Sequence, residues 1–338
     1  MFRNACIIGI TALLFNQYIW TEERPIVTFT KRILLEDYYD AYNPSIIKID
    51  QGFLLCFRYL GDRNNRPSLS YIGVVLLNEN FDPISEPQLL NTRSWNSKTP
   101  SQSEDARLFF YRGRIFLIYN DNLEVTEPGY SDRRDMFIAE LTLSDHQFTI
   151  SSPLKLCYEK NYNSRLWEKN WIPFEWNNTL MITYMLNPHE VIYPNLYNGT
   201  CYFCYKTDAQ LDWSWGPIRG STPPLFIDGE HLAFFHSGVW TSSPASWDLN
   251  MWHYYMGAYT FSAEPPFHLT RISHSPIFAE GFYTQSYYNK RIIFPGGVVQ
   301  GSEGSLYVVY GKDDCEMWVA GIDKEALMNS LVPVNPPQ

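Results

Sequence analysis

The chain has 338 residues, 36 acidic against 26 basic side chains, and a formal net charge of −10. That length supports a large core in one big domain or two ordinary ones. The acidic balance and singly scattered Lys and Arg argue against nucleic acid as a partner, because a phosphate backbone selects for a basic face.

The chain opens on ACIIGITALLF, Ala5 to Phe15, an apolar run behind Arg3. It is too short for a confident membrane span. It fits the core of a signal peptide or an anchor, and equally a buried strand or a short docked helix. Residues 1–25 are set apart on this ground. A targeting role would make the protein secreted or membrane-associated, with this segment as its only membrane contact; otherwise the protein is cytoplasmic. The sequons at Asn177 and Asn198 are compatible with a secretory route.

A unit then recurs. NPSIIKIDQGFLLCFRY begins at Asn43, EDARLFFYRGRIFLIYN at Glu104, KNWIPFEWNNTLMITYM at Lys169, TPPLFIDGEHLAFFHS at Thr222 and FPGGVVQGSEGSLYVVYG at Phe294. Each has a polar or proline-bearing head, a short apolar strand, a Gly, Asp or Asn turn, and a second apolar strand. The starts lie 61, 65, 53 and 72 residues apart, room for four strands and their loops. Short strands at hairpin spacing predict an all-β chain, and five four-stranded units predict a five-bladed β-propeller over residues 26–322. Only DKEALMNSL, Asp323 to Leu331, has helical periodicity, within a tail of residues 323–338.

Repetition also predicts a site. The first strand of each blade lines a central channel, so the heads Asn43, Asp105, Lys169, Thr222 and Phe294–Pro295 should converge. Each has an ordinary reading as well. Asp105 could cap a turn, Arg107 could pair with Glu104 or Asp105, Lys169 could form a surface pair with Glu168, and His236 could be a satisfied core histidine. Asn43 before Pro44 could only make a turn, and Asp313–Asp314 could be a solvated hairpin end. Aromatics reach 17% of the chain, with 24 Tyr and 11 Trp, which suits β-strands and also suits stacking on sugar rings. The remaining histidines show no metal spacing. Cys201 and Cys204 lie in the strand-like CYFCY without a second pair to close a zinc site.

In chain order, YNPSI (Tyr42–Ile46) with Arg58, EDARLF (Glu104–Phe109), EKNWIPF (Glu168–Phe174), RGSTPPL (Arg219–Leu225) with FFHS (Phe234–Ser237), MGAY (Met256–Tyr259), IFPGG (Ile293–Gly297) and VVYGKDD (Val308–Asp314) resemble glycoside hydrolase family 130. These are five-bladed propellers best known as β-mannoside phosphorylases, with some hydrolases among them. The resemblance covers Ala41 to Asp314. It implies that Asp105 is the general acid, passing its proton through a hydroxyl of the bound mannoside. It implies that Lys169 and His236 bind phosphate together with an arginine of DRRDMFIAE, where Arg133 and Arg134 are both candidates. Asn43, Arg58, Arg107, Asn170 and Asp313 would contact the glycan. No cofactor or metal is implied; inorganic phosphate would be a co-substrate and an oligosaccharide the substrate. Two positions depart from the pattern: Ala106 stands where the family has proline, and RGSTPP where it has GGTPP.

Phosphate carries its own negative charge, so it needs cations to hold it and no general base. Lys169, His236 and Arg133 or Arg134 fit that need better than they fit a water-activating carboxylate. The expected activity is therefore inverting phosphorolysis, with hydrolysis, mannosyl transfer or non-catalytic glycan binding as the alternatives.

Overall fold

A computed structural model describes residues 24–61, 69–92, 101–122, 134–144, 147–158, 167–284, 289–302 and 304–335. The apolar run Ala5–Phe15 and Arg133 lie outside the described residues. The described residues are all-β apart from one short helix and a 3-10 turn. No helix among the described residues is long and apolar enough to cross a membrane.

Strand β1 (Val27–Ile33) is an edge whose partner comes from the other end of the chain. A first antiparallel unit follows, β2 (Tyr42–Ile49), β3 (Gly52–Leu60), β4 (Ser70–Leu77) and the short β5 (Gln88–Leu89). The second has β6 (Glu104–Tyr111), β7 (Arg114–Asp121) and β8 (Asp135–Ser144), with β9 (Gln147–Ile150) and β10 (Leu154–Tyr158) both on β8. The third runs β11 (Ile172–Trp176), β12 (Thr179–Leu186), β13 (His189–Pro194) and β14 (Thr200–Thr207). In the fourth, β15 (Ile218–Gly220) and β16 (Leu225–Ile227) share the long β17 (Glu230–Thr241), followed by β18 (Met251–Ser262) and β19 (Leu269–Ser273). The fifth is β20 (Lys290–Gln300), β21 (Ser305–Lys312) and β22 (Glu316–Asp323), completed by β1 on β22. Helix α1 (Lys324–Ser330) follows, capped by the Asp323 carboxylate accepting from the Ala326 N–H at 2.9 Å, and β23 (Leu331–Pro333) pairs with β19.

The turns explain the recurring sequence pattern. Residues 112–113, 177–178 and 228–229 close two-residue hairpins with positive φ at both positions, as tight turns matched to strand twist require. The continuous apolar runs have a related cause. Within one strand, alternate side chains enter two different cores. Ile46 packs with the fifth unit and Ile47 with the second; Leu108 packs with the first and Phe109 with the third. Five apolar interfaces result, each between neighbouring units, and the last joins the fifth unit to the first.

Segments from all five units meet in space. At one end, Ile46–Lys48, Leu108–Phe110, Pro173–Glu175, Pro223–Phe226 and Val298–Gln300 line a largely apolar cavity of about 420 Å³. The other end carries the polar heads.

Candidate active site

Two of those heads are β-bulges. The β2–β3 register shifts between Tyr42 and Ser45, and the β6–β7 register shifts between Glu104 and Arg107. Asn43 and Asp105 sit inside these shifts with φ of 47° and 53°; Asn170, just before β11, has φ of 63°. Left-handed backbone is strained for most residues and tolerated best by Asn and Asp. A bulge also re-aims its side chain. Here it turns Asn43 and Asp105 toward each other, and the Asn43 amide donates to Asp105 Oδ1 at 2.8 Å.

Asp105 is surrounded by cations. Arg58 Nη1 lies 3.4 Å from Asp105 Oδ1, and its Nη2 donates to Glu104 Oε1 at 2.5 Å. Arg134 holds the same Glu104 oxygen at 2.6 Å and is itself fixed by Asn120 Oδ1 and the Gln102 carbonyl. Burial works to raise the Asp105 carboxyl. Arg58, Arg107, the Asn43 hydrogen bond and Lys169 together outweigh burial and hold it below the usual aspartate range. Asp105 is therefore a carboxylate in the free protein near neutral pH.

A second group faces it. Arg219 on β15 is directly opposite His236 on β17, and Tyr254 on β18 is hydrogen-bonded to Arg219. Lys169 lies with its ammonium 5.3 Å from the Trp167 ring centre, within the field of Asp105, Glu104, Arg219 and Arg134. Although the side chain as a whole is exposed, partial withdrawal from water pulls its pKa below the ordinary lysine value; the two carboxylates oppose that shift. His236 is buried and its Nδ1 is 2.6 Å from the Ser221 hydroxyl. Burial first, then Arg219, Arg107 and Lys169, push its pKa far down, so His236 is neutral at working pH. Among the described residues, no carboxylate lies within ion-pair distance of Lys169 or Arg219; the nearby Glu104 and Asp105 are already held by Arg58 and Arg134.

The expected residues thus divide by position. Asn43, Arg58, Asp105, Lys169, His236 and Arg134 come together at the polar end. Arg107 is buried beneath them: its guanidinium donates to the carbonyls of Ser221, Asp105 and Ala106 and stacks 5.0 Å from the Phe294 ring centre. It holds the strand heads together. Asn170 adjoins Lys169, and its carbonyl sits against Gly220. Asp313 is turned into β20, where its Oδ1 accepts from the Ile292 N–H at 2.7 Å. Its neighbour Asp314 is the acidic residue whose charge reaches Tyr42, Arg58 and Tyr254. Three other carboxylates are engaged elsewhere. Glu168 accepts from Trp171 and Tyr184, Glu175 accepts from the Arg112 N–H, and Asp228 pairs with Lys324. No group of three or more His, Cys, Asp or Glu among the described residues is placed to hold a metal ion.

Arg219 and Tyr254 were not among the expected site residues. Arg219 had a visible sign, since it opens the departure RGSTPP. Tyr254 had none, because only the β17–β18 pairing brings it to His236.

No family model matches the chain, and no curated protein matches it. Solved structures do. The chain is similar to a β-1,2-mannobiose phosphorylase from Listeria innocua, at 14% identity over 91% of this chain and 97% of that one, with a TM-score of 0.58. It is similar to a glycosyl hydrolase from Bacteroides ovatus, at 14% identity over 94% and 95%, TM-score 0.59. It is also similar to a mannose phosphorylase from Leishmania mexicana solved with phosphate ion, at 10% identity over 93% and 94%, TM-score 0.58. At these identities the likeness establishes a shared fold.

Proposed function

We propose that the protein is a five-bladed β-propeller enzyme of the mannoside phosphorylase type, cleaving β-mannosides with inversion and releasing mannose 1-phosphate. One observation carries the reading: a carboxylate, Asp105, and two cations, Lys169 and Arg219, that have no acidic partner among the described residues, converge at one end of the first strands. Five antiparallel units whose interfaces return from the fifth to the first support the propeller reading. The likeness to phosphorylases and a hydrolase supports sugar chemistry for that fold.

The chemistry divides between the two groups. An inverting enzyme needs an acid for the leaving oxygen and a nucleophile on the opposite face of the sugar. Asp105 supplies the proton, and Lys169 and Arg219 hold phosphate for attack at the anomeric carbon. His236 contributes as a neutral group: with the Ser221 hydroxyl donating to Nδ1, the Nε2–H is left to donate to a phosphate oxygen. Arg134 lies behind Glu104 and acts on the cluster through that carboxylate. Asn43 and Arg58 fix the orientation of Asp105 and frame the sugar.

Asp105 must be protonated to act as an acid, yet the free site keeps it ionised. Phosphate resolves this. An anion on Lys169 and Arg219 offsets part of the field that depresses Asp105, so its pKa rises when phosphate binds. By reciprocity, protonating Asp105 tightens phosphate.

The test incubates the protein with inorganic phosphate and short β-mannosides and measures mannose 1-phosphate. Mannose release that proceeds equally without phosphate would assign a hydrolase. Transfer from GDP-mannose to a sugar acceptor would assign a mannosyltransferase. Binding without turnover would leave a glycan-binding module.

A further inference from the structure

The fourth unit carries the longest strands among the described residues. β17 and β18 each have twelve residues and pair from Glu230–Ser262 to Thr241–Met251. Their register gives the hairpin a direction. Phe226 faces His231 at the apolar cavity, Arg219 faces His236 at the polar cluster, and Trp240 faces Trp252 beyond it. Residues directly opposite in an antiparallel pair share a face, as do residues two apart. His236, Gly238, Trp240, Trp252 and Tyr254 therefore lie on one face.

Their rings form a continuous ladder. His236 and Tyr254 are stacked, with centres 5.4 Å apart and planes 16° apart. Trp252 meets Tyr254 edge-on at 6.1 Å, and Trp240 meets Trp252 edge-on at 5.7 Å. Gly238 makes this possible: a Cβ there would come within 2.8 Å of the Tyr254 ring, so only glycine lets the tyrosine lie across β17. Exposure increases along the ladder, from 2% at His236 to 44% at Trp252 and 57% at Trp240. Tyr254 joins the ladder to the cations through Arg219. Leaving two indoles in water forgoes the burial that normally stabilises such large apolar side chains.

We infer that this ladder is a glycan-stacking subsite, receiving sugar rings that extend outward from the polar cluster, so that affinity rises with the length of the β-mannoside. The inference rests on the phosphorylase reading for the chemistry at its inner end. The occupant follows from continuity: the exposed rings run without a break into the cluster that holds the reacting sugar. Flat faces flanked by an indole N–H and a phenol suit a sugar ring, apolar on its faces and hydroxylated at its edge.

Binding to the full chain is measured by calorimetry and tryptophan fluorescence, without phosphate, using β-linked mannobiose, mannotriose and mannotetraose. Affinity is expected to rise with length. Trp240→Ala and Trp252→Ala are each expected to weaken mannotetraose roughly 5- to 10-fold and to change mannobiose by less than about twofold, the loss of one stacking contact. Trp240→Phe should retain most of the affinity, and Gly238→Ala should weaken the longer sugars by displacing Tyr254. Circular dichroism of each variant should match that of the parent. Affinity independent of length, or unchanged in both alanine variants, overturns the inference. So does tryptophan-dependent binding of GDP-mannose without binding of mannotetraose, which assigns the ladder to a nucleotide base. The two readings fail separately. Phosphate-dependent turnover with unaffected Trp variants removes the subsite alone. Trp-dependent glycan binding without phosphate-dependent turnover removes the phosphorylase alone.

Discussion

Asp105 is held ionised by groups that phosphate would partly neutralise, and this makes its role measurable. Asp105→Asn removes the proposed proton donor while keeping a similar shape. Turnover is expected to fall by about 10²- to 10⁴-fold, the usual contribution of a positioned acid, with glycan affinity largely kept. Loss of both activity and binding would instead point to collapse of the Asn43–Asp105–Arg58 arrangement. Lys169→Ala removes one cation from the proposed anion site. A charged hydrogen bond contributes about 1.5–3 kcal/mol, so KM for phosphate should rise roughly 10- to 100-fold, with KM for the glycan much less affected. Equal changes in both would contradict the division of labour between Lys169 and Asp105. The pH profile tests the coupling between the two groups. The pKa of Asp105 should be higher in the phosphate complex, so phosphate should bind with net proton uptake, visible as a dependence of calorimetric heat on buffer ionisation. Residue chemistry was partly legible in the sequence. Asp105, Lys169 and His236 each headed or followed a repeated strand. Arg219 and Tyr254 join them only through pairings across a sheet. His236 differs in another way: its type suggested a cation, and its burial among arginines makes it neutral.

Strand heads do more than present side chains, because they approach one another across units. Gly296 and Gly297, in the IFPGG segment of β20, lie against the bulge of β2. A Cβ at Gly296 would fall 1.9 Å from the Pro44 carbonyl oxygen, and one at Gly297 would fall 2.5 Å from the Ile46 nitrogen. A Cβ at Gly311 would fall 2.2 Å from Asn43 Oδ1. These obstacles are backbone or a buried, hydrogen-bonded side chain, so relief requires the head of β2 to move. Gly296→Ala is expected to cost about 1–3 kcal/mol, the usual range for overpacking, and to shift Asn43 from Asp105. Activity should fall more than stability accounts for, checked by urea unfolding alongside turnover under conditions where the variant stays folded. A variant with full activity would show that the bulge can be re-formed without this close approach. The hairpin turns were legible, since Gly113, Asn177–Asn178 and Asp228–Gly229 carry residue types that accept positive φ. The bulges at Asn43 and Asp105 were not, because an inserted residue leaves the apolar pattern on either side intact.

At the scale of the whole molecule, the five repeats were legible because each contributes two apolar strands and a tight turn. The closure was not. Strand β1 pairs with β22 from Val27–Ile322 to Ile33–Met317, and no local pattern in Val27–Ile33 announces a partner near the other end of the chain. Two histidines at the interface of the third and fourth units report on its integrity. His189, fully buried, has its Nδ1 2.6 Å from the Phe267 carbonyl and its Nε2 3.2 Å from the Thr183 hydroxyl. His231 stacks on Phe261 with ring centres 4.8 Å apart, and its buried Nδ1 has no hydrogen-bond partner among the described residues. Burial pushes both down to about 4, from an ordinary value of 6.5. Below pH 6.5 the unfolded chain takes up protons that the folded chain refuses. Stability from these groups is therefore complete above pH 6.5, declines as pH falls, and levels off below about 4. Each group contributes on the order of 3 kcal/mol across that window. His231→Phe keeps the aromatic packing and removes both the unpartnered nitrogen and its proton uptake. The variant should match or exceed the parent in stability at pH 7, by up to about 1 kcal/mol, and exceed it more clearly at pH 5. His189→Phe should be less stable than the parent at pH 7, because the Phe267 carbonyl and Thr183 hydroxyl lose their partner. Urea unfolding of the parent and both variants across this pH range separates the two behaviours. An unchanged acid slope in His231→Phe would show that this histidine is already protonated, or already wet, in the folded protein.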